Sequence, residues 1–230
     1  MLRAMWVLPL AAAIIALAFA GLLGRQWVSK RRASQGAWVV ALLMYAAASG
    51  ALTLGVLDGW SATEFRLYWA FGAVLNVPWL ALGEAYLLLR RRWLLTGLLA
   101  LLVFLTAFTL AEVRTATVNA GSFAKDLPLG KDVFGDRSLP YRLAQLLAYP
   151  AYVLLLFGCG WSAWRMRGRP ALTNRFVGTL LIAIGATIVA IGSGVGAGLD
   201  VVPVFTVGLA VGIAVMFGGF LRASRPAAAT

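Results

Sequence analysis

Three residues that could bind a ligand or carry a proton lie close together in one apolar segment of the sequence: Asn76, Trp79 and Glu84. Polar groups are costly in hydrocarbon, so such residues mark candidate binding or coupling sites. Asn76 offers an amide to a solute, Trp79 offers an indole ring, and Glu84 offers a carboxylate that can carry a proton. Pro78 has no backbone N–H to donate to the carbonyl of Val74. A kinked helix is therefore predicted, with the Val74 carbonyl oxygen free of its helical bond.

The same residues have a purely structural interpretation. Asn76 would then bond to a neighbouring helix, and Pro78 would only bend the chain. Glu84 would then lie near the inner headgroups and pair with a neighbouring loop or with Arg91, which lies seven residues later on the same helix face. The sequence leaves both interpretations open.

Gln145 and Tyr149 form a second polar group, four residues apart and therefore on one face of a helix. An amide beside an aromatic ring favours stacking on a solute, whereas the alternative is a tyrosine that anchors the helix at the membrane interface. Helix kinks are predicted at Pro9, Pro78 and Pro150.

Missing residue types exclude several chemistries. The 230 residues include no histidine, which excludes His-ligated haem, His-bound metals and Ser-His or Cys-His catalysis. The single cysteine, Cys159, cannot form an intramolecular disulfide. All three lysines (Lys30, Lys125 and Lys131) lie outside the apolar runs, which excludes a retinal Schiff base. We therefore expect no enzymatic activity, no metal and no cofactor.

Seven apolar runs must position these residues. Hydrophobic residues make up 62% of the chain and charged residues 12%, against about 25% charged in a soluble domain. A hydrocarbon core of about 30 Å needs roughly 20 helical residues, which is close to the length of each run. The predicted fold is an all-α integral membrane protein with seven transmembrane helices. The predicted spans are residues 5–24, 37–57, 67–89, 93–111, 143–164, 176–199 and 201–221.

Charge is divided unevenly between the two sides of this arrangement. Thirteen basic residues and no acidic one follow the odd-numbered helices, whereas the other side has seven of each sign. The positive-inside rule therefore predicts an N-terminus outside and a C-terminus in the cytosol. The net charge of +12 then needs no nucleic-acid partner, and the cytosolic face should attract anionic lipid headgroups. Abundant arginine, alanine and glycine indicate a bacterial inner (plasma) membrane.

Long-range similarity predicts an internal repeat. A proline precedes the next basic residue by 16 positions at Pro9 and by 15 at Pro150, and the second and sixth helices both end at an aspartate, Asp58 and Asp200. We interpret the chain as a parallel 3+1+3 pseudo-repeat. The predicted divisions are residues 1–92 (first three-helix unit), 93–111 (connector helix), 112–142 (extracellular loop), 143–225 (second three-helix unit) and 226–230 (cytosolic tail).

This layout resembles, in topology, the SWEET sugar transporters and the PnuC vitamin transporters. The resemblance covers the layout of the chain and no motif, because SWEET-type units carry Pro-Gln where this chain has Pro9-Leu10 and Pro150-Ala151. With the polar third helix, it favours a small-solute carrier or permease whose site lies near helix three, between the two units. The alternative is a non-transporting sensor, scaffold or complex subunit that acts through its basic face or its long outer loop.

Glycines recur at helix-packing intervals in the last two helices. Small residues let helices approach closely, so this pattern predicts tight packing within the chain, or else a homo-oligomer interface or a sliding surface. The glycines concerned are Gly178, Gly185, Gly192, Gly196, Gly208 and Gly212.

Overall fold

Seven long apolar helices dominate the computed structural model, which describes residues 6–125, 127–196 and 202–225. Within those ranges the chain forms no strand, so the predicted all-α class with seven helices long and apolar enough to cross a membrane is confirmed. These helices are compatible with a multi-pass membrane protein. They are α1 (Val7–Lys30), α2 (Ala33–Asp58), α3 (Ala62–Leu88), α4 (Arg92–Thr115), α5 (Leu139–Met166), α6 (Thr173–Ile191) and α7 (Val202–Ala223).

Each helix runs past its predicted apolar span at one end or both. A span predicted from uncharged residues measures only the hydrocarbon core, whereas a helix continues until its backbone is capped. At the end of α1, Arg31 takes a left-handed conformation (φ 52°) and its N–H donates to the carbonyl of Trp27 at 2.7 Å. This tight turn allows α2 to begin at Ala33.

The chain divides into two compact units, Met1–Tyr152 and Val153–Thr230. In the first unit α2 packs along both α1 and α3, and α4 packs against α3. Its buried core includes many alanines, among them Ala12, Ala16 and Ala41, which let the helix backbones come close. In the second unit α6 and α7 pack along their length. The 3+1+3 repeat and its divisions remain predictions.

Residues 116–125 and 127–138, in the long loop between α4 and α5, belong to the first unit and are called the cap below. The cap contains a 3₁₀ turn (Ala120–Ala124) and a short helix (Gly130–Phe134). The Asn119 N–H donates to the Val133 carbonyl at 2.9 Å, and the Ser122 hydroxyl donates to the Asp132 carbonyl at 2.9 Å. These bonds give the cap a defined conformation of its own.

An aromatic cluster attaches the cap to the start of α3. Just after the cap, at the start of α5, the carbonyl of Pro140 accepts the indole N–H of Trp69 at 3.0 Å. Gly130 lies directly under the Trp69 ring, where any larger side chain would clash. Phe65, fully buried, is the centre of the cluster. The rings around it are Trp60, Tyr68, Trp69, Phe123 and Phe134.

Candidate functional site: a helix break in the first unit

Helix α3 is interrupted in its middle. It begins with a capping box, in which Ser61 accepts the Thr63 N–H at 3.2 Å and Glu64 accepts the Ser61 N–H at 3.1 Å. The residues Trp69–Leu75 then form a π-helical segment before the α-helix resumes at Asn76. Pro78 follows two residues later and has no N–H for the helical ladder. We call Trp69–Leu75 together with Pro78 the helix break.

The sequence predicts a kink at Pro78, but it does not predict the wider turn before it. The π segment consists of ordinary apolar and aromatic residues, with no local signal of its own. Such segments are frequent at functional sites, because the wider turn displaces backbone groups from regular bonding.

Asn76 lies where the α-helix resumes and is buried, with 5% of its surface exposed. Its side-chain amide donates to the carbonyl of Ala41 in α2 at 2.7 Å. One turn further, the indole N–H of Trp38 donates to the carbonyl of Leu80 at 3.1 Å. Gly83 makes room for the Trp38 ring. Side-chain hydrogen bonds therefore join α2 and α3 at two levels.

Trp79 connects the same region of α3 to α4. Its indole N–H donates to the hydroxyl of Thr106 at 3.2 Å, and Thr106 in turn donates to the carbonyl of Leu102 at 2.7 Å. Asn76 and Trp79 thus contact different neighbouring helices, so the helix break is in contact with α2 and α4 at once.

Glu84 lies two turns beyond Asn76 and is almost completely buried, with 4% of its surface exposed. The helix around it, residues 81–85, is buried on every side. Arg91, which the sequence offered as a partner on the same face, is exposed. The carboxylate therefore belongs to the interior of the protein, whereas Arg91 belongs to its surface.

Four buried polar residues of α2 were not singled out from the sequence: Ser34, Gln35, Ser49 and Thr53. The Gln35 amide donates to the Gln26 side chain of α1 at 3.2 Å, while the Gln35 carbonyl oxygen is buried with no partner among the described residues. Gln35 and Ser49 are fourteen residues apart, which is two seven-residue repeats, so they lie on one face of the helix. That spacing could have identified them from the sequence.

Gln145 and Tyr149 are exposed on α5, and Tyr149 keeps 67% of its surface accessible. The structure does not bring them to Asn76, Trp79 or Glu84. Pro150 lies inside α5. Pro9, in contrast, is the third residue of α1, where the missing N–H would have no helical partner in any case.

The predicted packing glycines bring α6 and α7 into backbone contact. A Cβ on Gly178 would lie 2.5 Å from the carbonyl oxygen of Gly219, and one on Gly185 would lie 2.5 Å from that of Gly212. Gly192 faces Gly208 in the same way, with its Cβ position 2.8 Å from the Gly208 Cα. Gly196 ends a second π-helical segment, Gly192–Gly196, and its surroundings lie outside the described residues.

An open cavity of about 270 Å³ lies where α5 turns into α6, and the sequence had not indicated it. It is lined by Met166, Gly168, Arg169, Thr173 and Phe176. Arg169 gives it a positive charge, and it borders no predicted site residue. Across the part of the chain that the structure describes, no group of three or more His, Cys, Asp or Glu could hold a metal ion.

Comparison of the chain with protein-family models, with curated proteins and with solved structures finds no match. What the protein does must therefore be inferred from the helix break and its neighbours. That region combines an irregular backbone with a buried amide, a buried carboxylate and an indole.

Proposed function

We propose that the protein is a small-solute carrier or permease whose functional centre is the helix break of α3. The observation that supports this most strongly is the π segment that runs into Pro78, flanked by the buried side chains of Asn76 and Glu84. Irregular backbone at membrane depth is tolerated only where it is enclosed in protein or lines a cavity. In many transporters, helices whose regular backbone is broken near the midplane form the binding site.

The polar contacts at the break suit a site that must open and close. Asn76 and Trp79 each hold a neighbouring helix through one hydrogen bond. Such bonds between membrane helices contribute only about 0.6 kcal/mol on average, so a polar solute can replace them at little cost. In this proposal Asn76 and Trp79 contact the solute, and Glu84 carries the coupling proton. The exposed residues Gln145 and Tyr149 are not part of this centre.

Reconstituted transport tests the proposal. The purified protein in liposomes, under an imposed pH gradient, should take up a solute from a panel of labelled small metabolites. Glu84→Gln should reduce this uptake at least tenfold, because an amide cannot carry the proton. Gln145→Leu serves as the control and should transport normally. Absence of uptake across the panel, together with no solute-dependent thermal shift, would contradict carrier function.

We also propose that the protein lies in a bacterial plasma membrane with its N-terminus outside. Support comes from the thirteen basic residues that follow the odd-numbered helices, which favour the cytosol and anionic lipid headgroups. Reporter enzymes fused after residues 30 and 170 should both be active in the cytosol. Activity of these two fusions on opposite sides would overturn the orientation.

A second candidate function, a subunit of a membrane complex, is favoured by the cap. In the cap Leu127 and Val133 are buried, whereas Lys131, Asp136 and Arg137 are exposed. An ordered surface of mixed charge suits a protein partner. A stable partner that co-purifies with the native chain, but not after all three exposed charges are changed to Ala, would favour this function.

A further inference from the structure

Thr109, on α4, is fully buried, yet its hydroxyl has no hydrogen-bond partner among the described residues. A threonine inside a helix commonly donates to the carbonyl four residues before it. Six other threonines of this chain do so at 2.7–3.1 Å: Thr53, Thr96, Thr106, Thr115, Thr187 and Thr206. Thr109 differs from them, since its own helix leaves its hydroxyl unsatisfied.

The register between α3 and α4 puts Thr109 at the helix break. Trp79 contacts Thr106, and further along the two helices the Arg66 guanidinium donates to the carbonyl of Ala116 at 2.8 Å. The two helices are therefore antiparallel: later residues of α4 lie beside earlier residues of α3. Three residues past Thr106, Thr109 lies opposite the end of the π segment, at the level of Val74–Asn76.

That level of α3 carries a backbone carbonyl that lacks its α-helical donor. Pro78 cannot supply the N–H that the Val74 carbonyl would receive in an α-helix. The next backbone N–H, that of Trp79, donates to the carbonyl of Leu75, because Leu75 is the N-cap of the helix that resumes at Asn76. An oxygen that can accept a hydrogen bond and a hydroxyl that can donate one thus lie at the same level of the α3–α4 contact.

We propose that this place binds one neutral hydroxyl group, which donates to the Val74 carbonyl and accepts from the Thr109 hydroxyl. A neutral ligand fits because the two groups that would hold it, a backbone carbonyl and a threonine hydroxyl, are themselves uncharged. A buried charged ligand would need a counter-charge, and neither of these two groups supplies one. The hydroxyl belongs either to an ordered water or to the transported solute, and only the second source rests on the proposed function.

Thermal unfolding of the purified protein in detergent tests the site itself. Thr109→Val keeps the side-chain shape and removes the hydroxyl, so the bound group is lost and the melting temperature should fall by about 3–8 °C. Thr109→Ser should restore it. Thr53→Val, whose hydroxyl is also buried but bonds to the local Ser49 carbonyl, is the control and should change it by less than about 2 °C.

An unchanged or higher melting temperature for Thr109→Val would overturn the proposal, because removing a merely unpaired hydroxyl is neutral or stabilising. The two sources are separated by a panel of hydroxyl-bearing solutes. A solute that raises the melting temperature of the native protein, but not that of Thr109→Val, supports a solute hydroxyl in the site. A different result is that Thr109→Val lowers the melting temperature while no solute shifts the melting temperature of the native protein and no solute is taken up. That result supports an ordered water in the site and contradicts the carrier proposal. Normal uptake and stability in Thr109→Val would refute the site and leave the carrier proposal intact.

Discussion

Helices α2 and α3 of the first unit meet in a different way from helices α6 and α7 of the second. Between α2 and α3 the contacts include hydrogen bonds from long side chains, Asn76 to Ala41 and Trp38 to Leu80. Between α6 and α7 the backbones themselves touch, at glycine pairs such as Gly185 and Gly212. Both contacts are tight, but they depend on different physical terms.

The difference indicates which helix pair can change its arrangement. A glycine contact depends on dispersion over a closely fitted surface, so any displacement loses many small attractions together. A side-chain hydrogen bond can be exchanged for one to another partner at little cost. We therefore expect the α6–α7 pair to behave as a rigid element and the α2–α3–α4 region to be the adaptable one.

The largest expected effect comes from filling a glycine contact. Gly185→Leu would force side-chain atoms against the carbonyl of Gly212, and backbone atoms cannot move aside cheaply. The cost should be about 3 kcal/mol, which lowers the melting temperature by about 6–12 °C. Gly218→Leu is the control, because a Cβ there meets nothing within 4 Å. Equal losses in both variants, measured by thermal unfolding in detergent, would disprove close packing as the basis of this contact.

A smaller effect is expected at the α2–α3 contact. Asn76→Leu removes the 2.7 Å bond to Ala41 and should cost about 1 kcal/mol, or about 2–4 °C in melting temperature. Gln145→Leu, at an exposed position, is the matched control and should leave it unchanged. A loss as large as that of Gly185→Leu would remove the contrast between the two helix pairs.

The smallest effect is expected in the cap. Lys125 and Asp132 form an ion pair at 2.7 Å, but their side chains are 48% and 29% exposed. Solvent screens such pairs, so Lys125→Ala should cost about 0.5 kcal/mol or less, and high salt should reduce even that difference. Protease digestion should cleave this variant no faster than the native cap. Rapid cleavage would mean that the ion pair, rather than the aromatic cluster, holds the cap.

Much of the fold could be predicted from the chain alone, because a membrane helix is specified by local composition. An uncharged run of about 20 residues can satisfy its backbone in hydrocarbon only as a helix. The count of seven therefore followed from the spacing of charges. Helix ends were less predictable, since the left-handed cap at Arg31 and the capping box at Ser61 lie outside the apolar runs.

The candidate site was predictable only in part. Asn76, Pro78, Trp79 and Glu84 stood out because each is unusual within an apolar run. Thr109 did not, because threonine is common in membrane helices and normally bonds to its own backbone. Whether such a hydroxyl is satisfied depends on its conformation and on the neighbouring helix, which no local pattern contains.

The sequence by itself determined the helical class, the seven apolar helices and the unequal distribution of charge, since all three follow from side-chain polarity along the chain. The tertiary structure alone decided which groups meet: Asn76 with Ala41, Gly185 with Gly212, and the cap with Trp69. Lipid solvates every apolar helix face equally well, so composition cannot select a helix partner. Close fit and individual hydrogen bonds make that selection, and both depend on atoms that are far apart in the sequence.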